Sequence, residues 1–172
     1  SQQHLIVPLD LAQPEQLNEL VVNAMSQIGR VDVLVNNGGI GQRGFACETQ
    51  LDVQRKVMEV NYFGAIAMTQ ALLPSMKKAG GGMIVTVSSV AGLVGGKSMS
   101  GYSGSKHAII GYMDCLRAEE SAAGIQVLNV CPGFVQTNIS VNAYCGDGSK
   151  FNKMAGSIKN GIPVDLCAKK MV

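Results

Sequence analysis

The chain has 172 residues, of which 47% are hydrophobic and 15% are charged, and its formal net charge at pH 7 is +2. This composition suits one domain with a sizeable buried core and excludes a disordered tail. The longest basic runs are the pairs Lys77-Lys78 and Lys169-Lys170, so the sequence also argues against nucleic acid as a partner.

Hydrophobic periodicity predicts strands and helices in alternation along the chain. Continuous apolar runs predict buried strands at residues 4–8, 31–35, 83–87 and 125–131. Apolar residues at helical spacing predict helices at residues 14–28, 51–78, 102–123 and 163–172, with a weaker pattern at 141–162. This order predicts an α/β fold, in which helices cover both faces of a parallel sheet.

Two glycines lie inside the helix that is predicted at 102–123. Gly104 and Gly111 would each cost about 1 kcal/mol relative to alanine in a helix interior. Close contact with another backbone on one side of the helix would explain why glycine is tolerated there.

The five cysteines show no Cys-x-x-Cys pair and no histidine at metal-ligand spacing. This pattern predicts reduced thiols in a reducing compartment and no metal site. The most apolar stretch, residues 83–94, is too short to span a bilayer, and the first residues do not resemble a signal peptide. The chain as given is therefore expected to be soluble and intracellular.

Polar residues and glycines follow each predicted strand directly. They are Asp10, residues 36–39, Ser88 with Ser89, and residues 132–137. Because parallel sheets bind ligands beyond the carboxyl ends of their strands, these segments are expected to surround one site.

A hydroxyl, a phenol and an amine stand out among the polar residues near these strand ends. Ser89 follows a predicted strand, and Tyr102 and Lys106 are four residues apart where a helix begins, so both project from one helix face. A phenol ionises near pH ~10, and a nearby ammonium favours the phenolate and lowers that pKa. The spacing therefore predicts an acid–base site.

Taken in order, these motifs resemble those of the short-chain dehydrogenase/reductase family over nearly the whole chain. The motifs are Asn36-Asn37-Gly38-Gly39, Asn61 within a helix, Ser89, Tyr102-x-x-x-Lys106 and Pro132-Gly133. The resemblance implies a single Rossmann-type domain, residues 1–172, with a doubly wound parallel sheet. It also implies NAD- or NADP-dependent interconversion of a carbonyl and a secondary alcohol.

Four catalytic residues are implied by the resemblance. Tyr102 would give or take the hydroxyl proton, Ser89 would orient the carbonyl oxygen, and Lys106 would lower the tyrosine pKa and hold the nicotinamide ribose. Asn61 would bind a water that extends the proton path, although an asparagine inside an apolar helix is also compatible with a satisfied buried amide.

The resemblance also implies contacts with a dinucleotide cofactor, with a preference for NADPH. The segment 132–137 would hold the nicotinamide carboxamide, and Asp10 would lie in the adenine pocket or, equally, cap the helix that begins near Pro14. At Gly38, the missing side chain would let backbone approach a ligand. The residues implied are Asp10, Leu11, Asn37, Gly38, Val60, Val87, Tyr102, Lys106, Pro132, Gly133, Val135 and Thr137.

The Gly-rich turn that joins the first strand and helix of a dinucleotide fold does not occur in the sequence. The resemblance begins at what would be the third strand, residues 4–8, and stops before the last one. The expected fold is thus a partial one, without its first βαβ unit and last strand. A piece of a longer protein is the simplest account, and a naturally short, inactive or scaffold protein with the same fold is the alternative.

Residues 116–120 and 137–143 resemble the family branch called dehydrogenase/reductase member 7, particularly its 7B-like animal members. The branch implies a lipid- or steroid-like substrate and a membrane anchor in a segment outside this chain, and the expected location is the cytoplasm or the endoplasmic reticulum membrane. The family implies a homodimer or homotetramer, paired through the helices that carry Asn61 and Tyr102. Residues 140–162 would form the substrate loop. Its large apolar residues favour a hydrophobic substrate: Tyr144, Phe151, Met154 and Ile158.

Overall fold

The computed structural model describes residues 4–171, which form an α/β fold built on parallel strands. The strands are β1 (Val33–Asn36), β2 (Gln42–Arg43), β3 (Gly82–Val87), β4 (Ile125–Val130) and β5 (Tyr144–Cys145). The α-helices are α1 (Pro14–Ile28), α2 (Leu51–Met58), α3 (Gly64–Lys78), α4 (Ser100–Glu120), α5 (Gly156–Lys159) and α6 (Val164–Lys169). A π-helical turn, Glu59–Phe63, joins α2 to α3, and 3₁₀ turns form at Val90–Gly92 and Ser121–Ala123.

Within the described residues, the main sheet contains β1, β3 and β4, paired in parallel in that order. Leu34, Ile84 and Val127 are in register across it, and their buried side chains pack against α3 and α4 in one hydrophobic core. Met76 of α3 and Met113 of α4 are fully buried in the same core. The predicted α/β class with a partial parallel sheet is therefore confirmed.

The described helices do not cover both faces of this sheet in the way the sequence predicted. On the opposite face, Val35, Val85 and Leu128 are in register, yet Val35 is 53% exposed and Leu128 is 46% exposed. The chain adds β1, β3 and β4 in one direction, and right-handed crossovers then place the connecting helices on the same face. Residues 4–171 therefore provide no helix that covers the second face of the sheet.

The strand predicted at residues 4–8 is wrong, because residues 4–10 form no strand within the described part of the chain. An apolar run becomes a strand only where a neighbouring strand supplies hydrogen-bond partners. In the described residues, β1 pairs only with β3. Ile6 is 88% exposed as a result.

The predicted helices are confirmed, with shifts of a few residues at most boundaries. The helix predicted at 163–172 corresponds to α6, which ends at Lys169, and residue 172 lies outside the described residues. Pro14 occupies the first turn of α1, and Gly29 ends that helix with φ 78° while its N–H donates to the carbonyl of Met25. The helix predicted at 51–78 is continuous but contains the π-helical turn. Such turns are frequent at functional sites, and this one includes Asn61.

Within the described chain, the close backbone contact expected at Gly104 and Gly111 is not found. Both lie on the exposed side of α4, and a Cβ at either position would meet no described atom within 4 Å. Gly64, at the start of α3, does require close approach, because a Cβ there would lie 2.6 Å from the carbonyl oxygen of Leu11. This contact fixes the segment that precedes α1 against the start of α3.

The segment that follows β4 is held to the rest of the protein at both ends. β5 pairs in parallel with β2, and an isolated parallel bridge joins Val135 to Ile162. The weak sequence pattern at 141–162 corresponds to this short strand and to the single turn of α5. No helix among residues 4–171 has the length and apolar character needed to cross a membrane.

We expect Gly64→Ala to lower the free energy of unfolding by about 2 kcal/mol, because the added methyl group overlaps the backbone of Leu11. Gly111→Ala is the matched control, and it should raise stability by about 0.5 to 1 kcal/mol because its methyl group enters open space. Urea unfolding followed by circular dichroism measures both. Equal effects of the two substitutions would contradict the packing of Leu11 against α3.

Candidate active site

A cavity of about 650 Å³ opens beyond the carboxyl ends of β1, β3 and β4. Its walls come from the residues after these strands, the first turns of α4 and the segment 132–143. Most of the predicted site residues line it: Asn37, Val87, Ser89, Tyr102, Lys106, Pro132, Gly133, Val135 and Thr137. These strand ends therefore surround one cavity, whereas the catalytic and cofactor-binding roles of the residues stay predictions.

Ser89 is held in place by hydrogen bonds on both sides of it. The backbone N–H of Ser88 donates to Val130 O at 2.8 Å, and that of Val90 donates to Pro132 O at 3.0 Å. The Oγ of Ser89 accepts from the N–H of Ala91 at 3.1 Å and thereby caps the 3₁₀ turn. The turn is therefore anchored to β4 and to the segment that follows it.

Helix α4 is fixed to the end of β3 by two contacts of Lys106. The Nζ of Lys106 donates to Val87 O at 2.9 Å, and the Oγ of Ser88 donates to the carbonyl of Lys106 at 3.1 Å. Lys106 Nζ lies 5.9 Å from the centre of the Tyr102 ring. The spacing of four residues thus brings the phenol and the amine into the same cavity, as predicted from the sequence.

Burial dominates the acid–base properties of this pair. It lowers the pKa of Lys106 from 10.5 to about 8, while the nearby Cys131 thiol acts in the opposite direction. Burial also raises the pKa of Tyr102 above 10.0, although a hydrogen bond with Ser89 and the charge of Arg43 both lower it. The expected lowering of the tyrosine pKa by Lys106 is therefore wrong for the chain by itself, because desolvation outweighs the favourable interactions.

Asn61 lies behind the cavity wall and is 2% exposed. Its Nδ2 donates to Ile40 O and to Ser105 Oγ, both at 3.0 Å, and its Oδ1 accepts from the N–H of Ile40 at 2.8 Å. The side chain thus ties the segment after β1 to α4. An amide oxygen has a second lone pair, so the predicted bond to a water remains a prediction.

Four of the residues predicted to contact a cofactor, among them Asp10 for the adenine pocket, do not line the cavity. Asp10 Oδ1 accepts from the N–H of Ala12 at 2.9 Å, whereas Gln13 is the N-cap of α1, so the interpretation of Asp10 as that cap is wrong. The side chain of Leu11 occupies the space that a Cβ of Gly38 would take. Asp10, Leu11, Gly38 and Val60 all lie outside the cavity lining.

The segment predicted to hold the nicotinamide is paired with the end of the substrate loop. Ile162 N–H donates to Phe134 O at 3.0 Å, and Gln136 N–H donates to Ile162 O at 2.9 Å. Of the four large apolar residues predicted for the substrate, only Ile158 lines the cavity within the described chain. Tyr144 instead lies between the amines of Lys56 and Lys150, at 4.6 and 3.5 Å from its ring centre.

Several cavity residues escaped prediction from the sequence. Arg43 and Lys97 add positive charge to that of Lys106, and no Asp or Glu is present among the described residues that line the cavity. Arg43 lies in a stretch without helical or strand periodicity, and only its isolated charge could have drawn attention to it. The apolar lining residues that were missed include Ile40, Val94, Met99 and Ile139.

The residues present fit a dinucleotide cofactor in their chemistry. Hydroxyl, amide and ammonium groups line the cavity, and these can bind ribose hydroxyls and a carboxamide. The excess of positive charge suits an anionic ligand.

A model of the family described as short chain dehydrogenase matches residues 1–145 of this chain. Together with the geometry of Ser89, Tyr102 and Lys106, this match shows the class of the protein. The chain belongs to the short-chain dehydrogenase/reductase family.

Within that family, the chain is similar to dehydrogenase/reductase SDR family member 7B of Mus musculus, with 45% identity over 159 residues. It is 42% identical over 167 residues to the SDR family protein 7-like of Drosophila melanogaster. These alignments cover 92% and 97% of the chain but 49% and 51% of the relatives. The chain thus spans about half the length of the curated relatives that it matches, and its sequence supports the predicted branch.

Solved structures show the same fold. A short-chain dehydrogenase from Streptomyces avermitilis superposes with a TM-score of 0.76 at 32% identity, covering 91% of this chain and 56% of that one. A gluconate 5-dehydrogenase from Burkholderia cenocepacia, in complex with NADP and tartrate, superposes with a TM-score of 0.74 at 26% identity. This alignment covers 77% of this chain and 52% of that one.

We expect Lys106→Met to raise the free energy of unfolding at neutral pH by about 1 to 3 kcal/mol, because the ammonium is buried at a cost. The pKa of Lys106 is about 8 when folded and 10.5 when exposed, so between these values the unfolded state binds more protons. The wild-type protein should therefore gain stability from this group as the pH rises through that window. The Lys106→Met protein should not show this rise of stability with pH.

Urea unfolding at neutral pH and at a pH inside the window measures this effect. Lys78→Met, which removes an exposed lysine of α3, is the control and should change neither the stability nor its pH dependence by more than about 0.5 kcal/mol. A Lys106→Met protein that is less stable than wild type at neutral pH would contradict the cost of burying the amine.

Proposed function

We propose that this chain is the catalytic part of an NAD(P)(H)-dependent oxidoreductase that interconverts a carbonyl and a secondary alcohol. The observation that carries the proposal is the convergence of Ser89, Tyr102 and Lys106 on one cavity, which residues of the segment 132–137 also line. Ser89 caps its own 3₁₀ turn and Lys106 is bonded to the end of β3, so these two groups are held in place before a ligand binds.

Tyr102 is the proton donor and acceptor in this proposal. Because burial raises its pKa, the phenol is protonated at neutral pH and can give its proton to a carbonyl oxygen. The Ser89 hydroxyl, which bonds with Tyr102, is placed to orient that oxygen. In the reverse direction, the phenol must first lose its proton, so alcohol oxidation should become faster as the pH rises above neutrality.

Lys106 and Asn61 support the tyrosine. With a pKa of about 8, Lys106 carries its charge at neutral pH and loses it in mildly alkaline solution. Its ammonium would bind the ribose hydroxyls, and Asn61 would hold a water that links Lys106 to solvent. Asn61 Oδ1 and Lys106 Nζ both face Gly39, where a Cβ would lie 3.1 and 3.5 Å from them, which supports the pairing.

The nicotinamide cofactor would supply or accept the hydride. The residues of this chain that would hold it are Asn37, Val87 and the segment 132–137, in which Thr137 offers a hydroxyl. A preference for NADPH is part of the proposal and agrees with the positive charge of the cavity. Asp10, Leu11, Gly38 and Val60 would contribute only through the more distant adenine end.

The substrate is proposed to be hydrophobic and lipid- or steroid-like. Apolar side chains from three separate segments support this: Ile40, Val94, and Phe134 with Ile139. A homodimer or homotetramer through α3 and α4 is also proposed, since Gly104 and Gly111 leave the outer side of α4 open to close approach. A membrane anchor outside this chain, at the endoplasmic reticulum, remains part of the hypothesis.

Tyr102→Phe should lower kcat for carbonyl reduction by at least about 100-fold, because the proton donor is lost. The measurement is NADPH oxidation by the full-length protein with a panel of aldehydes and ketones. Tyr112→Phe, on the same helix, is the matched control and should keep kcat within about threefold of wild type, because Tyr112 lies outside the cavity.

Activity that survives Tyr102→Phe would overturn the proposed mechanism. A wild-type protein that binds NADPH but reduces no carbonyl would favour the scaffold alternative instead.

A further inference from the structure

Gln42 is a buried polar residue that the proposed mechanism does not use. It belongs to the two-residue strand β2 in the wall of the cavity and is 1% exposed. Its Nε2 donates to Gly44 O at 3.1 Å and to Thr49 Oγ1 at 3.0 Å, and its Oε1 accepts from the N–H of Gly101 at 3.2 Å. A buried amide with these three partners has a single preferred orientation.

The bond to Gly101 is the informative one, because Gly101 directly precedes Tyr102. The first N–H groups of a helix have no partner within the helix and are usually bound by a side chain at its N-cap. The N-cap of α4 is Met99, which forms no such bond. Gln42 supplies the acceptor instead, from 59 residues away in the sequence.

The same short strand also contacts the residues before α4 and the substrate loop. Gly44 forms a parallel bridge with Met99, and its N–H donates to Ser98 O at 3.0 Å. On the other side, β2 pairs with β5, and Tyr144 N–H donates to Gly41 O at 3.0 Å. Gln42 therefore lies where the first turn of α4 meets the loop that closes the substrate side of the cavity.

We propose that Gln42 is a positioning residue for the reaction, which sets the place of Tyr102 by holding the first turn of α4. This inference rests on the proposed function, in which Tyr102 transfers the proton. The backbone of Gly101 is the link, since a shift of that peptide moves the phenol relative to Ser89. Gln42 itself touches neither the reacting atoms nor the cofactor in this proposal.

The test uses the full-length protein and three variants. Gln42→Met keeps the volume of the side chain but removes all three hydrogen bonds. Gln42→Glu keeps an acceptor for Gly101 N–H at a helix N-terminus, where a negative charge is favourable, but disturbs the bonds to Gly44 and Thr49. Thr49→Val removes one partner of Gln42 and leaves the bond to Gly101 in place.

For Gln42→Met, we expect kcat to fall about 10- to 100-fold while KM for NADPH changes less than about threefold. The pH at which alcohol oxidation reaches half of its maximal kcat/KM should also move upward, because a displaced Tyr102 loses part of its bond to Ser89. Gln42→Glu should recover kcat to within about fivefold of wild type, and Thr49→Val should reduce thermal stability with kcat nearly unchanged.

Hydrogen exchange of the Gly101 amide provides a readout that is independent of activity. The exchange should be faster in Gln42→Met than in wild type and in Thr49→Val. If Gln42→Met does not fold, the comparison of Gln42→Glu with Thr49→Val decides. The proposal then requires that Gln42→Glu keep both the slow exchange of the Gly101 amide and the activity. Loss of either property in a folded Gln42→Glu protein would overturn it.

The Tyr102→Phe variant separates this inference from the proposed function. If Tyr102→Phe is inactive and folded Gln42→Met keeps wild-type kcat and pH profile, the positioning role is wrong and the proposed function stands. If Tyr102→Phe remains active, the proposed function fails, and the role of Gln42 in it fails too.

Discussion

The contact between the end of β3 and the first turns of α4 is the constraint on which the site depends. The Nζ of Lys106 in α4 donates a hydrogen bond to the carbonyl of Val87, and the Oγ of Ser88 donates one to the carbonyl of Lys106. A Cβ at Gly92 would lie 2.7 Å from Ser88 Oγ and 2.8 Å from Lys106 O, so the 3₁₀ turn can approach the helix only with glycine there. This packing brings Ser89 to Tyr102.

The same contact is costly for stability and useful for chemistry. An ammonium that is 6% exposed is poorly solvated, and its main polar partner is a neutral carbonyl rather than a carboxylate. A catalytic site commonly contains such unfavourable burial, which the remaining fold must support. Here the support comes from the apolar core around Ile84 and Met113 and from the buried amides of Asn61 and Gln42.

The amino-acid sequence predicted those features that depend on local pattern. The limits of α1 follow from Pro14 and Gly29, and the convergence of Ser89 with Tyr102 and Lys106 follows from strand ends and helical spacing. The strand at residues 4–8 failed because a strand depends on a partner that local pattern does not reveal.

Features that depend on burial and on distant contacts could not be predicted from the sequence, for a related reason. The direction of the Tyr102 pKa depends on desolvation, which outweighs the neighbouring charges, and sequence spacing shows only those charges. The role of Gln42 depends on a bond between residues that are 59 positions apart, with no motif to mark it. The fold and the convergence of the candidate catalytic groups were thus accessible from pattern, whereas the electrostatics and the contacts that support the candidate site required the structure.

Tyr102 holds a neutral phenol beside Lys106, and ultraviolet pH titration of that phenol is the decisive measurement. It is made on protein without nucleotide, and subtracting the spectrum of Tyr102→Phe from that of wild type separates Tyr102 from the other tyrosines. We expect Tyr102 to ionise above its ordinary pKa of 10.0. Ionisation well below that value would show that Lys106 outweighs burial and that the phenol is not held neutral.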